Sequence, residues 1–158
     1  MLKRIIGMLA ATLALTLAGS AAPAIAVNIG HEGCTPGYRQ NHTDNWEEAD
    51  PGDLLSDTFS DGTSGVLVGV TLEQALAGSG DSGVSGAERI LARAATAAFL
   101  NAAHEGVGYP WRRYSNGLDG RPPLVATVVA ALESGSRADM LALAARLDAD
   151  NNLGCPLS

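Results

Sequence analysis

Beyond its fourth residue the chain has no lysine; the single one is Lys3. Its remaining cations are arginines, outnumbered by 17 Asp and Glu, and the formal charge is −7. Without Lys3 and Arg4 that charge falls by two, to −9. A surface of that sign repels phosphate backbones and anionic headgroups, which excludes nucleic acid and anionic membrane surfaces as partners. Aromatic residues make up only 4%, so each ring is a notable placement. Cysteine is limited to Cys34 and Cys155, too few for a disulfide-rich scaffold or a four-cysteine zinc site. Only one long apolar run occurs, and it lies at the N-terminus.

In that run, Lys3 and Arg4 precede an uncharged stretch over residues 5–19, and Ala24-Ile25-Ala26 offers small residues at −3 and −1. The pattern predicts a signal peptide of residues 1–26, cleaved after Ala26, because signal peptidase reads small residues at those positions. The uninterrupted stretch is shorter than the roughly 20 residues a membrane span requires, so no membrane insertion is expected after cleavage. Residues 27–158 then form a single domain, long enough to bury about two thirds of its unfolded surface. In an exported chain, two cysteines read as a disulfide before they read as metal ligands. Bridging Cys34 to Cys155 closes a loop of about 120 residues, a stabilisation of about 4–5 kcal/mol in the chain-entropy model.

Periodicity and capping signals predict a mostly α domain of about four helices plus short segments, closed by that N-to-C-terminal disulfide. Pro36-Gly37 reads as a turn. Asp44 to Trp46 reads as the opening of one helical turn, with Asp44 as its cap and Glu47 and Glu48 in its first turn, stopped by Pro51-Gly52. Leu54, Leu55 and Phe59 share helical spacing, and Val66 to Val70 is an apolar β-branched run that reads as a short strand. Thr71 with Gln74 is a capping box. Residues 78–83, Gly-Ser-Gly-Asp-Ser-Gly, read as a flexible loop.

The clearest helix is predicted over 86–104, started by Ser85 with Glu88. At 100° per residue, Ile90, Leu91, Ala94, Ala95, Ala98 and Ala102 form one stripe, with Arg89, Arg93, Thr96 and His104 opposite. Asn101 falls inside the apolar stripe, so its buried amide must find partners for both carbonyl and NH2. Residues 124–133 are apolar nearly all round and suit either a buried strand or a helix; the Pro122-Pro123 start and Gly135 after the end favour the helix. Ser136 with Asp139 caps a last helix over 137–148 and so completes an αα-hairpin.

The run Cys34-Thr35-Pro36-Gly37-Tyr38, then Asn41-His42 and Trp46, carries a resemblance. Together with Leu100-Asn101-Ala102-Ala103, Leu147, Asn151-Asn152 and Gly154-Cys155-Pro156-Leu157, it resembles an uncharacterised family of secreted bacterial proteins with the signature Cys-Thr-Pro-Gly-Tyr-Trp-Lys-Asn-His. The resemblance implies location and a shared fold, but no reaction. The chain departs from it at Arg39 and Gln40, where the signature has Trp and Lys, so a role needing that ring or that ammonium does not carry over.

Two chemistries compete for the motif. A secreted hydrolase or metal-dependent enzyme would use His42 as base and Asp44 as its orienting carboxylate, yet no Gly-x-Ser-x-Gly elbow supplies a nucleophile. The other reading makes Tyr38, Asn41, His42, Trp46, Asn101, Asn151 and Asn152 a polar knot packed around the disulfide. A metal site would need the fold to gather His31, His42 and His104 with Glu32, Asp44 or Glu105, and no metal or cofactor is expected. Asp148-Ala149-Asp150-Asn151-Asn152 has the opening spacing of a calcium loop but Leu153 where that loop requires glycine. Tyr109, Trp111, Arg112, Arg113 and Tyr114 form an aromatic-arginine loop, the residue types that dominate binding hot spots; as an alternative, the rings simply cover the alanine-rich helix. The reading that results is an extracellular or cell-envelope interaction or structural module, with a cell-envelope protein or glycan as its partner class, and not an enzyme.

Overall fold

The computed structural model describes residues 30–112 and 120–157. The expected signal peptide, and Arg113 and Tyr114 of the aromatic-arginine loop, lie outside them. Among the described residues the secondary structure is helical, with two isolated bridges, Gly33 to Gly154 and Leu54 to Thr71, and no strand.

The first helix, α1 (Pro36–Asn41), begins where a turn is expected. Thr35 is its N-cap, with Oγ1 accepting the Tyr38 N–H at 3.1 Å, and Pro36 sits in the first turn, where its missing N–H costs nothing. Thr-Pro-Gly is therefore a helix start. A 3₁₀ turn (Thr43–Asn45) follows, entered from His42 and not capped by Asp44. Helix α2 (Leu55–Phe59) leads through 3₁₀ turns at Ser60–Gly62 and Gly65–Leu67. The second of these replaces the strand expected at Val66 to Val70. Leu67 is buried there while Val68 is 71% exposed. With φ at +55° for Gly65 and +71° for Gly69, the segment curls and has no strand to pair with.

Helix α3 (Leu72–Ala77) has both halves of the Thr71–Gln74 capping box. Loop 78–83 is packed and not a free linker. Asp81 pairs with Arg89 at 2.8 Å, and a Cβ on Gly86 would lie 2.0 Å from the Asp81 carbonyl oxygen. Gly86 thus lets the loop touch the helix backbone. Helix α4 (Val84–Ala103) starts after Gly83, which places Ser85 within the helix.

Helix α5 (Arg121–Glu133) settles the ambiguous segment as helix and buries Leu124, Val128 and Leu132. Helix α6 (Arg137–Asn151) has Ser136 as its cap, accepting the Asp139 N–H at 3.3 Å. Gly135, at φ +60°, makes the turn between them. The last helix lies chiefly on α4 and less on α5. Arg137 reaches the Gly83 carbonyl at the start of α4, and Asn151 meets Asn101 near its end, so α4 and α6 run in the same direction.

The core gathers around α4: Leu55, Phe59, Leu72, Leu91, Leu124, Val128, Met140 and Leu147 are all almost fully buried. Each such side chain contributes about 1.5–3 kcal/mol of transfer free energy. Because α1, α3, α5 and α6 all touch α4, more than one face is covered. Thr96, expected on the solvent side, is therefore completely buried.

Candidate functional site

The sequence motif and the C-terminus meet at a bridged pair: Cys34 and Cys155 form a disulfide with Cα atoms 4.4 Å apart across a sequence separation of 121. Asn101, in the last turn of α4, is fully buried beside it. Its Oδ1 accepts from the Cys34 N–H at 3.1 Å and from Arg39 Nε at 3.0 Å. Its Nδ2 donates to the Cys34 carbonyl at 2.8 Å and to Asn151 Oδ1 at 3.0 Å. Both ends of the amide are thereby satisfied, as its angle on the helix demands.

Asn151 continues the network from α6. Its Nδ2 donates to the Ala94 carbonyl at 3.0 Å, and its Oδ1 also accepts from the Tyr109 hydroxyl at 2.9 Å. Asn152 does not join it. That residue is exposed and donates to the Asp148 carbonyl at 2.7 Å, which finishes its own helix. Tyr38 holds the tail instead, its hydroxyl donating to the Leu157 carbonyl at 2.9 Å and accepting from Asn45 at 3.0 Å.

Arg39 is the member that sequence reasoning missed. It is completely buried, with Nη1 donating to the Asn45 carbonyl at 3.1 Å and Nη2 without a hydrogen-bond partner among the described residues. Burial depresses its pKa to about 10, against the opposing pull of Tyr38 and Glu47, so the guanidinium remains charged at neutral pH. The available signal was positional: Arg39 follows Pro36 by three residues, and both are on the buried side of α1. Trp46 fastens the same turn by donating from Nε1 to the Arg39 carbonyl at 2.8 Å.

His42 is outside the knot. It is exposed, stacked on the Tyr38 ring at 4.1 Å with an interplanar angle of 11°, and its Nδ1–H donates to the Tyr38 carbonyl at 3.0 Å. Among the described residues no hydroxyl, thiol or carboxylate is bonded to it, so Asp44 does not orient it. Asn41 is exposed too, and its side chain donates to the Gly37 carbonyl at 2.8 Å. His104 faces Glu47 at 3.6 Å while its Nδ1 accepts the Gly106 N–H at 3.0 Å. Among the described residues no three His, Cys, Asp or Glu side chains gather as a metal site would need.

The aromatic-arginine loop divides. Tyr109 is fully buried in the knot and so is no recognition surface, and desolvation, with Asp150 and Asp148 adding to it, raises its hydroxyl pKa. Trp111 is half-buried on α6, donating from Nε1 to Asp150 at 3.2 Å, with the Arg146 guanidinium 5.1 Å from its ring centre. Arg112 is half-buried and closes the loop base by accepting the Gly120 N–H at 3.1 Å. Asp148 and Asp150 lie within α6, where no calcium loop can form.

Beside α1 lies a cleft of about 610 Å³ between α3, α4 and α6, lined by Gln40, Leu76, Ile90, Arg93, Leu141 and Asp148 among others. Arg93 is anchored by donation from Nε to the Leu76 carbonyl at 3.1 Å. No protein-family model matches the chain, and neither a curated protein nor a solved structure does.

Proposed function

We propose that the chain is an exported interaction module of the extracellular space or cell envelope, acting through a rigid surface and not through a reaction. The observation that carries this reading is the fate of the motif's polar groups. Cys34 and Tyr38 bind the tail, Arg39 bonds Asn101 of the central helix, Trp46 fastens the turn after α1, and His42 stacks on Tyr38 with no nucleophile or carboxylate among the described residues bonded to it. A base needs a reacting partner within hydrogen-bond reach. The disulfide supports an oxidising compartment, where such bonds persist. The leader-like residues 1–26 agree with that compartment.

The test is expression of the whole chain in an exporting bacterial host. N-terminal sequencing is expected to begin at Val27, and the exported protein is expected to resist alkylation unless reduced first. Retention in the cytoplasm with both thiols free would defeat the reading. A catalytic His42 would be revealed by an esterase or peptidase turnover lost in His42→Ala.

A further inference from the structure

The cleft between α3, α4 and α6 is chemically asymmetric. Its lining is mixed, with Leu76, Ile90, Leu141 and alanines beside Gln40, Ser79 and two charged side chains, and its volume is about 610 Å³, within the ordinary range for small-molecule sites. Among the residues that line it, Arg93 is the one cation and Asp148 the one carboxylate. They come from different helices, and neither has an ion-pair partner among the described residues. The Arg93 side chain is held in place through Nε, and its two terminal nitrogens donate no hydrogen bond to the described residues. A guanidinium fixed in this way is prepared for bidentate contact with a carboxylate.

Opposite, solvent-exposed charges on one cleft that also carries aliphatic side chains, and that do not neutralise each other, are complementary to a ligand with the same three parts. We propose that the cleft binds a zwitterion with an aliphatic side chain, its carboxylate on Arg93 and its ammonium on Asp148, as in a free amino acid or a short peptide with free termini. A simple anion would meet Asp148 and the net negative chain, and a simple cation would leave Arg93 unused. The inference deepens the interaction-module reading and rests on it. It uses purified protein, so its failure leaves the export result untouched.

The experiment is calorimetric or ligand-observed NMR titration of the oxidised, exported chain with four probes: L-leucine, Leu-Leu, N-acetyl-Leu-Leu and Leu-Leu amide. Saturable binding is expected for L-leucine, Leu-Leu or both at about millimolar concentration or below. Acetylation or amidation of Leu-Leu, each of which removes one charge, is expected to weaken binding at least tenfold. Whichever of leucine and Leu-Leu binds more tightly identifies the source as amino acid or peptide. Arg93→Gln should erase the difference between Leu-Leu and its amide, and Asp148→Asn the difference between Leu-Leu and its acetyl derivative. The proposal is overturned if neither zwitterion saturates, or if Leu-Leu saturates and its blocked forms bind as tightly. It is equally overturned if folded variants keep both discriminations. The wild-type comparison stands even where a variant fails to fold.

Discussion

The side chain of Asn101 pairs with both backbone polar groups of Cys34, accepting its N–H at 3.1 Å and donating to its carbonyl at 2.8 Å. An amide thus stands where a neighbouring strand would otherwise be needed. It ties the chain entering the domain to the central helix, next to the bond that ties it to the tail.

Asn101→Ala is expected to be among the most damaging single substitutions. It strands the Cys34 N–H and carbonyl in a dry interior and removes a partner from Arg39 and Asn151. Buried orphan groups cost about 1–3 kcal/mol each, so a loss of at least about 3 kcal/mol is expected in urea unfolding. A loss below 1 kcal/mol would show that water replaces the amide.

Reduction of the disulfide, or a Cys34→Ser, Cys155→Ser double substitution, is expected to lower stability by about 4–5 kcal/mol through the freed unfolded chain. Helical circular dichroism at low temperature should survive, because Asn101 still grips the Cys34 backbone and Tyr38 still grips Leu157. An unchanged melting temperature after reduction would contradict the clamp.

Tyr109→Phe deletes only the hydroxyl that donates to Asn151. Asn151 Oδ1 keeps its bond from Asn101, so the expected loss is about 1–2 kcal/mol by thermal melting. A comparable loss is not expected for Arg146→Ala, whose guanidinium over Trp111 is a half-exposed contact of about 0.5–1 kcal/mol. The reverse ranking would move the structural weight from the knot to the loop.

His104 gives the fold an acid-sensitive point. Desolvation lowers its pKa, outweighing Glu47, and protonating Nδ1 would abolish the acceptor of the Gly106 N–H. The folded state therefore binds this proton less readily than the unfolded chain. Its contribution is constant above the unfolded value of about 6.5 and is lost as pH falls below it towards the lowered folded pKa. Denaturant midpoints measured from pH 7.5 to 5 should fall more steeply for wild type than for His104→Gln. Parallel profiles would exclude the residue.

Arg39→Met tests whether the buried guanidinium contributes net stability. It removes a desolvated charge with one unpartnered nitrogen but keeps an unbranched chain of similar reach. Buried charges replaced by apolar groups often leave stability unchanged or raised, and a midpoint within about 1 kcal/mol of wild type is expected. A loss above about 3 kcal/mol would make Arg39 a principal element of the knot.

Much of this architecture is legible before folding. Thr71 with Gln74 and Ser136 with Asp139 mark helix starts because a cap acts on an N–H two or three residues away. The angle of Asn101 on α4 is set by helical geometry alone, so its burial and its need for several partners follow from the sequence. The Val66 to Val70 strand fails for the opposite reason: a strand exists only with a partner, and the described segments offer it a single backbone bond, from the Leu55 N–H to the Val70 carbonyl beside the Leu54 to Thr71 bridge. Pro36-Gly37 becomes a helix start because Thr35 supplies the cap.

The sequence by itself determined the helical class, most helix limits, the pairing of its two cysteines and the buried amide, since each depends on near neighbours or on there being no other choice. Only the tertiary structure decided that Arg39 and Tyr109 lie inside, that His42 stays outside, that Thr96 is covered, and that Arg93 and Asp148 face one cleft. Burial depends on which distant elements come to rest on a surface. In this chain, α1 and α6 close on α4 from opposite ends of the sequence, and no local pattern records where they meet.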